Sequence, residues 1–282
     1  MTHSAIPDFL LEDMIKRALN EDLGGAGDVT SRAVIPDGIK YQASLNARGS
    51  GVISGMQIAQ LAFNIIDPEL EVKTLLPDGS NVVSKNICMI IKGDAKSILM
   101  AERVALNFAG RLSGIATMTA AFVAEAKNTK AKITCTRKTT PGMRLVEKEA
   151  VRHGGGSSHR FGLSDAIMIK DNHIAAAGSI QKVLERARDF ASHMSTIEIE
   201  VDTLKQLEEV LRVGCADVVL LDNMTNTDMV TAVQMVNGVM VIEASGNMAL
   251  DRISSVAATG VDYISVGALT HSVANFDLGL DF

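Results

Sequence analysis

Apolar and polar positions follow two different rhythms along the chain. From Pro7 to about Asn20, Phe9, Leu10, Met14, Ile15, Ala18 and Leu19 recur at helical spacing, and the Gly-rich acidic stretch Glu21–Asp28 reads as a loop. Strands are expected around 40–48, 50–54, 70–75 and 87–93, with a helix over 56–66. A long helical pattern over 97–127 is Ala/Leu/Met-rich and interrupted by Glu102, Arg103 and Arg111. Strands and helices do not alternate regularly here, which describes a small α+β module.

Beyond it the pattern becomes regular. Short β-branched runs stand at 133–136, 166–169, 197–201, 218–221, 239–242 and 263–266, with helical stretches at 178–191, 203–213, 225–236 and 249–258. Apolar strands separated by amphipathic helices make βα units and a parallel sheet. Period alone fits either a barrel or an open doubly wound sheet. The polar residues favour the barrel, because each run carries or ends in chemistry-bearing groups: Arg137-Lys138, Lys170-Asp-Asn-His173, Glu198 and Glu200 with Asp202, Asp222-Asn223, Glu243 to Asn247, and Gly267. A parallel barrel gathers all those ends at one mouth. One charged strand end is an ordinary loop charge; six in succession are a pattern.

Charge sharpens this picture. The 282 residues hold 27 Lys+Arg against 33 Asp+Glu, net −6, with 47% hydrophobic and 21% charged residues. That balance supports a sizeable core and excludes general disorder and a basic nucleic-acid binder. Arg103, Arg137, Lys138, His159, Arg160 and Lys170 are nonetheless cationic or able to become so, and clustered like charges need a compensating anion. A small polyanionic substrate suits arginine forks; internal pairing with Glu147, Glu149 or Asp165 is the structural alternative. Glu200 and Asp222, at neighbouring strand ends, suit a hard cation such as Mg²⁺ shared with a phosphate-bearing ligand, or else are plain solvated ends.

Local chemistry adds detail. Ser245-Gly-Asn247 and Val266-Gly-Ala268 follow the last two strands, where small residues let backbone N–H groups approach a phosphate. Pro141 fits the first turn of a helix capped by Thr140, which leaves Arg137-Lys138 in the preceding loop. That helix stops at Gly154-Gly-Gly156, and Ser157-Ser-His-Arg160 reads as a ligand-wrapping loop. Cys88, Cys135 and Cys215 lie far apart, with neither a disulfide framework nor zinc spacing, as in a reducing, cytoplasmic setting. The opening residues lack a basic region before an apolar core, so no secretory signal is expected, and no stretch is long enough to span a membrane.

Thr136-Arg-Lys-Thr-Thr-Pro-Gly142, Ala150-Val-Arg-His-Gly-Gly-Gly-Ser-Ser-His-Arg160, Ile169-Lys-Asp-Asn-His173, Leu221-Asp-Asn223 and Val266-Gly-Ala-Leu-Thr-His271 together resemble the decarboxylating quinolinate phosphoribosyltransferases. The likeness runs from Glu21-Asp-Leu-Gly to Leu278-Gly-Leu-Asp281, nearly the whole chain. It implies an α/β fold with an N-terminal α+β sandwich domain over 1–112. An incomplete parallel α/β barrel of the type II phosphoribosyltransferase kind would occupy 113–282, its last roughly ten residues returning to the first domain. The implied reaction is phosphoribosyl transfer from phosphoribosyl pyrophosphate to quinolinate, giving nicotinate mononucleotide, pyrophosphate and CO₂, with Mg²⁺ and a homodimer or larger assembly.

By the same resemblance Thr136, Arg137, Lys138, His159, Arg160 and Lys170 would line the dicarboxylate pocket. Arg103 would reach a neighbouring subunit's site, and Glu200 and Asp222 would face the ribose and Mg²⁺. Ser245, Gly246, Asn247, Val266, Gly267 and Ala268 would hold the 5′-phosphate; Lys138, Lys170, Glu200 and Asp222 would serve catalysis. Ser158, Asn247 and Glu149 depart from the family pattern, which commonly has Asn, Gly and an aromatic there. Two other readings fit parts of the sequence. A Schiff-base barrel aldolase would use Lys170 but leaves the arginines unexplained; a related phosphoribosyltransferase or anion-binding homologue would take a different substrate.

Overall fold

The computed structural model describes residues 6–282; the opening residues 1–5, part of the stretch read above for a secretory signal, lie outside them. Contacts divide the chain into two units. One comprises residues up to Met118, Arg152–Gly155 and Val273–Phe282; the other comprises Thr119–Val151 and Gly156–Ser272. The division falls within the long helix, six residues beyond 112 (118 − 112).

The first unit begins with α1 (Phe9–Leu23) and α2 (Val29–Val34), followed by β1 (Lys40–Ala47), β2 (Gly51–Val52), α3 (Met56–Ile66), β3 (Glu71–Thr74), β4 (Asn81–Val82) and β5 (Ile87–Asp94). Its helix α4 (Ala95–Glu125) starts directly from β5. The expected loop after Asn20 is shorter, because α1 continues to Leu23 and Asp28 caps α2 by accepting the Ser31 N–H. The expected strand at 50–54 shrinks to two residues paired with β4.

The main sheet of this unit has the order β12-β1-β5-β3 and is antiparallel throughout, β12 (Leu278–Asp281) being the last strand of the chain. Asp281 accepts from Arg48 and Asn46, which ties the C-terminal strand to β1. Helix α3 is apolar on the side carrying Met56, Ile58, Ala59, Ala62 and Phe63, all buried. Its N-terminus follows Gly55 and lacks a local cap; Asp78 supplies one from a distance, accepting the Met56 N–H at 2.8 Å and the Gln57 N–H at 3.4 Å. Replacing Asp78 by Ala is expected to cost ~1–2 kcal/mol in urea unfolding, as loss of a helix cap does.

The second unit contains β6 (Lys132–Thr134), α5 (Arg144–His153), β7 (Ile167–Ile169), α6 (Asp171–Ala177), α7 (Ile180–Phe190) and β8 (Ile197–Val201). It continues with α8 (Leu204–Val213), β9 (Val218–Asp222), α9 (Asn226–Val236), β10 (Val241–Ser245), α10 (Leu250–Ala257), β11 (Tyr263–Ser265) and α11 (Ala268–His271). All six strands are parallel, in the order β6-β11-β10-β9-β8-β7. Read from β7 to β11 the order follows the sequence, and β6 then joins at β11. This is the cyclic order of a barrel left open between β6 and β7, without the reversal of a doubly wound sheet. Ser157 lies against β6 at that opening, donating its N–H to Ile133 and accepting from the Cys135 N–H and the Thr134 hydroxyl.

Two local expectations are corrected. Pro141 does not open a helix: Thr140 C=O accepts the Met143 N–H, and Gly142 has φ +80°, so Pro141-Gly142 form a turn and α5 starts at Arg144. Pro followed by Gly is the sequence of a type II turn, which needs a positive φ at its second central residue. The expected strand 239–242 lies further on, at Val241–Ser245, which places Glu243 inside the sheet. Among the described residues no helix is long and apolar enough to cross a membrane.

Candidate active site

Strand periodicity builds the site. In β8, Ile197, Ile199 and Val201 are wholly buried and alternate with Glu198 and Glu200, so both carboxylates share the other face. The same alternation presents Leu220 and Asp222 from β9, Glu243 and Ser245 from β10, and Ser265 from β11. Register levels them: Glu200 stands opposite Leu220, and Asp222 opposite Ser245. Glu200, Leu220, Asp222, Glu243, Ser245 and Ser265 line a cavity of about 950 Å³ together with Thr136, Arg137, Lys138, His159, Arg160, Met168 and Lys170.

The cavity is divided by charge. Arg137, Lys138, His159, Arg160 and Lys170 come from the ends of β6 and β7 and the loops after β6 and α5. Glu200 and Asp222 stand at β8 and β9, and the small or uncharged Ser245, Gly246, Asn247, Gly267 and Ala268 at β10 and β11. Among the described residues Arg137, Lys138 and Arg160 make no ion pair. The Nε atoms of Arg137 and Arg160 are buried without a partner. Burial and the nearby Arg137 charge lower the Arg160 pKa. The loop is braced instead by Arg144, which donates to the Thr139 hydroxyl and the Arg137 carbonyl. Internal pairing with Glu147, Glu149 or Asp165 therefore does not consume these cations.

Lys170 and His159 are engaged. Lys170 Nζ lies 2.5 Å from Glu200 Oε2. His159 Nε2 lies 3.3 Å from Glu198 and 3.5 Å from Glu243, and both carboxylates are buried. His159 Nδ1 accepts the Arg160 N–H at 2.8 Å, as a ring with its hydrogen on Nε2 does. Burial disfavours a second proton, but the Glu198 and Glu243 carboxylates beside Nε2 push the pKa up to about 10. The raised pKa favours the imidazolium at neutral pH, whose Nδ1 hydrogen takes the place of the Arg160 contact.

The far wall is organised around Asn223. Its side chain donates to Asp222 at 2.6 Å and accepts from Asn247 at 3.1 Å. Arg252 ties the same loops together, donating to the carbonyls of Gly246 and Met224. Helix α10 begins beside the cavity with no side-chain cap, since Ala249 makes no cap bond. Asn247 holds φ +49°, a left-handed conformation that Asn tolerates.

Two expected residues fall outside the cavity lining. Val266 is 1% exposed, and its N–H is spent on Thr134 C=O, so it has no amide to give a phosphate. Arg103 belongs to the first unit, 66% exposed on α4 and 3.6 Å from Glu102. Glu198, Glu243 and Asn223 stand among the strand-end groups of the sequence without an assigned role, although the Ile-Glu-Ile-Glu-Val alternation of β8 is a signal for the first. Ser158 is exposed, and the contacts that orient His159 come from Glu198, Glu243 and Arg160.

Residues suited to a cation can be compared directly. Among the described residues the one trio of His, Cys, Asp or Glu ligand atoms within 4.8 Å is His159, Glu198 and Glu243. Glu200 and Asp222 belong to no such trio, yet each has one carboxylate oxygen outside its hydrogen bond. They fit a Mg²⁺ that takes most ligands from a phosphorylated substrate and water, not one held by the protein alone.

A barrel whose strand ends set free cations against a small-residue wall defines an enzyme site for polyanionic small molecules. The family model of the quinolinate phosphoribosyl transferase N-terminal domain matches residues 28–113, and that of the C-terminal domain matches 115–281. The chain is 41% identical to quinolinate phosphoribosyltransferase [decarboxylating] 1b of Nicotiana tabacum, covering 98% of this chain and 83% of the relative. It is also 41% identical to a probable nicotinate-nucleotide pyrophosphorylase [carboxylating] of Bacillus subtilis, covering 95% and 93%. The crystal structure of NadC from Streptococcus pyogenes superposes with TM-score 0.96 at 40% identity, over 99% of this chain and 98% of that one. The chain belongs to the quinolinate phosphoribosyltransferase family.

Proposed function

We infer that this enzyme transfers the phosphoribosyl group of phosphoribosyl pyrophosphate to quinolinate and decarboxylates the adduct, yielding nicotinate mononucleotide, pyrophosphate and CO₂ for NAD biosynthesis. The observation that carries this reading is the partition of one cavity into unpaired cations, paired carboxylates and a small-residue wall. A pyridine dicarboxylate suits the first part, ribose hydroxyls the second and a 5′-phosphate the third.

Arg137 and Arg160 bind the two carboxylates of quinolinate, and Lys138 adds charge from the exposed rim. Lys170 and Glu200 fix each other beside the reacting carbon, while Asp222, oriented by Asn223, faces the ribose. Mg²⁺ carried with the donor and shared by Glu200 and Asp222 would offset charge on the departing pyrophosphate. Attack by the pyridine nitrogen makes the ring cationic, and that positive charge stabilises the carbanion left at the adjacent carbon as CO₂ departs, which a proton from water then converts to C–H. Positioning and electrostatics suffice, so no covalent enzyme intermediate is expected. A Schiff base on Lys170 requires a free amine, whereas its ammonium is held by Glu200. The exposed Arg103 suits a role in a neighbouring copy's site within a homodimer, and three free cysteines suit the cytoplasm.

The test supplies protein, Mg²⁺, phosphoribosyl pyrophosphate and either quinolinate or nicotinate. Nicotinate mononucleotide formed from quinolinate alone is expected; turnover of nicotinate but not quinolinate would overturn the substrate. Asp222→Ala should raise the Mg²⁺ concentration needed for half-maximal rate by about tenfold, and an unchanged Mg²⁺ profile would remove Asp222 from that role.

A further inference from the structure

Beneath the rim of the barrel two carboxylates are buried where a parallel barrel normally packs apolar side chains. Glu198 and Glu243 are 6% and 5% exposed, and one oxygen of each lacks a hydrogen-bond partner. Buried carboxylates are costly unless a counter-charge meets them. Neither is bonded to the guanidinium of Arg137 or Arg160, the latter of which donates to the Ala166 carbonyl; His159 Nε2 faces both carboxylates, at 3.3 and 3.5 Å. The remaining charged groups around this ring are Arg160 beside it in the chain, Arg137 after β6, and Lys148 of α5. Lys148 holds the His159 carbonyl at 2.9 Å.

We propose that Glu198 and Glu243 are positioning residues for substrate binding: their carboxylates hold the His159 ring in place and keep it charged on the cavity wall beside Arg137 and Arg160. The idea rests on the reaction inferred above. Two anions under the floor would otherwise repel a dicarboxylate. Charging the ring lowers the net charge of the trio from −2 to −1 and puts its positive member on the cavity lining. A metal ion would satisfy the same three ligand atoms, so metal content separates the two occupants of this trio.

The experiment titrates the His159 ring by long-range ¹H–¹⁵N NMR in wild type, Glu198→Gln and Glu243→Gln, without substrate. The wild-type ring is expected to hold its charge well above neutral pH, and each variant to lose it about three pH units lower, near neutrality. Steady-state kinetics then separate charge from structure. Wild-type quinolinate KM should stay flat from pH 6 to 8, whereas in each variant it should rise about tenfold across that range, with kcat within about threefold. Lower pH restores the imidazolium and so restores affinity; damage to the fold would persist at both ends. A wild-type ring titrating near 6.5, variants with unmoved titration or flat KM, or an equimolar chelatable metal on the purified protein would each overturn the proposal. Absence of wild-type turnover would instead overturn the reaction, since the titration needs no substrate.

Discussion

Arg137→Ala and Arg160→Ala are each expected to raise the quinolinate KM by two orders of magnitude, with phosphoribosyl pyrophosphate KM changed far less. The reason lies in what the two side chains lack. Each guanidinium has a buried Nε without a partner, and neither is neutralised by an ion pair among the described residues. Burial and mutual repulsion make Arg160 a costly cation when the cavity is empty. A substrate carboxylate relieves that cost, and removing one partner of a desolvated charge pair typically loses ~2–5 kcal/mol, roughly thirtyfold to several-thousandfold. Lys138 is exposed, so its replacement should cost ~0–1 kcal/mol less the more fully water screens it. Steady-state KM values for both substrates check this; a quinolinate KM within threefold of wild type in both arginine variants would remove them from the pocket.

Gly246→Ala should nearly abolish use of phosphoribosyl pyrophosphate while leaving quinolinate binding close to normal. Gly246 sits at φ +91°, and a Cβ there would fall 2.5 Å from Asn223 Cγ and 2.8 Å from its backbone N. Both the left-handed backbone and the contact oppose a side chain. The displaced residue is the one that links Asp222 to Asn247, so a single methyl disturbs the ribose and phosphate walls together. A misplacement of about one ångström in such a site costs on the order of a hundredfold in rate. Titration calorimetry with quinolinate, alongside donor kinetics, distinguishes this from global unfolding; normal donor KM and kcat would show that the loop tolerates the change.

Much of this site was legible because a parallel strand carries its information in parity and in its last residue. Ile-Glu-Ile-Glu-Val and Val-Val-Leu-Leu-Asp state which side chains share a face before any coordinates exist. Barrel closure was legible only from the polar strand ends, since βα periodicity is common to both architectures; the pairing of β6 with β11 realises it. Pro141 illustrates a second limit, since proline suits both a helix start and a turn, and Gly142 tips it toward the turn. Long-range partners were the least legible. Nothing near Gly55 announces Asp78, and nothing near His159 announces Glu198 and Glu243, because those contacts exist only once distant segments have packed.

The central claim is that one cavity holds both substrates, so that loss of CO₂ follows transfer of the sugar phosphate. Quinolinate labelled with ¹³C in the carboxyl group next to the ring nitrogen tests it most directly. Labelled CO₂ should appear only when phosphoribosyl pyrophosphate is present, and in step with pyrophosphate. Labelled CO₂ released without the donor, or pyrophosphate released from the donor and quinolinate with the label retained, would contradict the account.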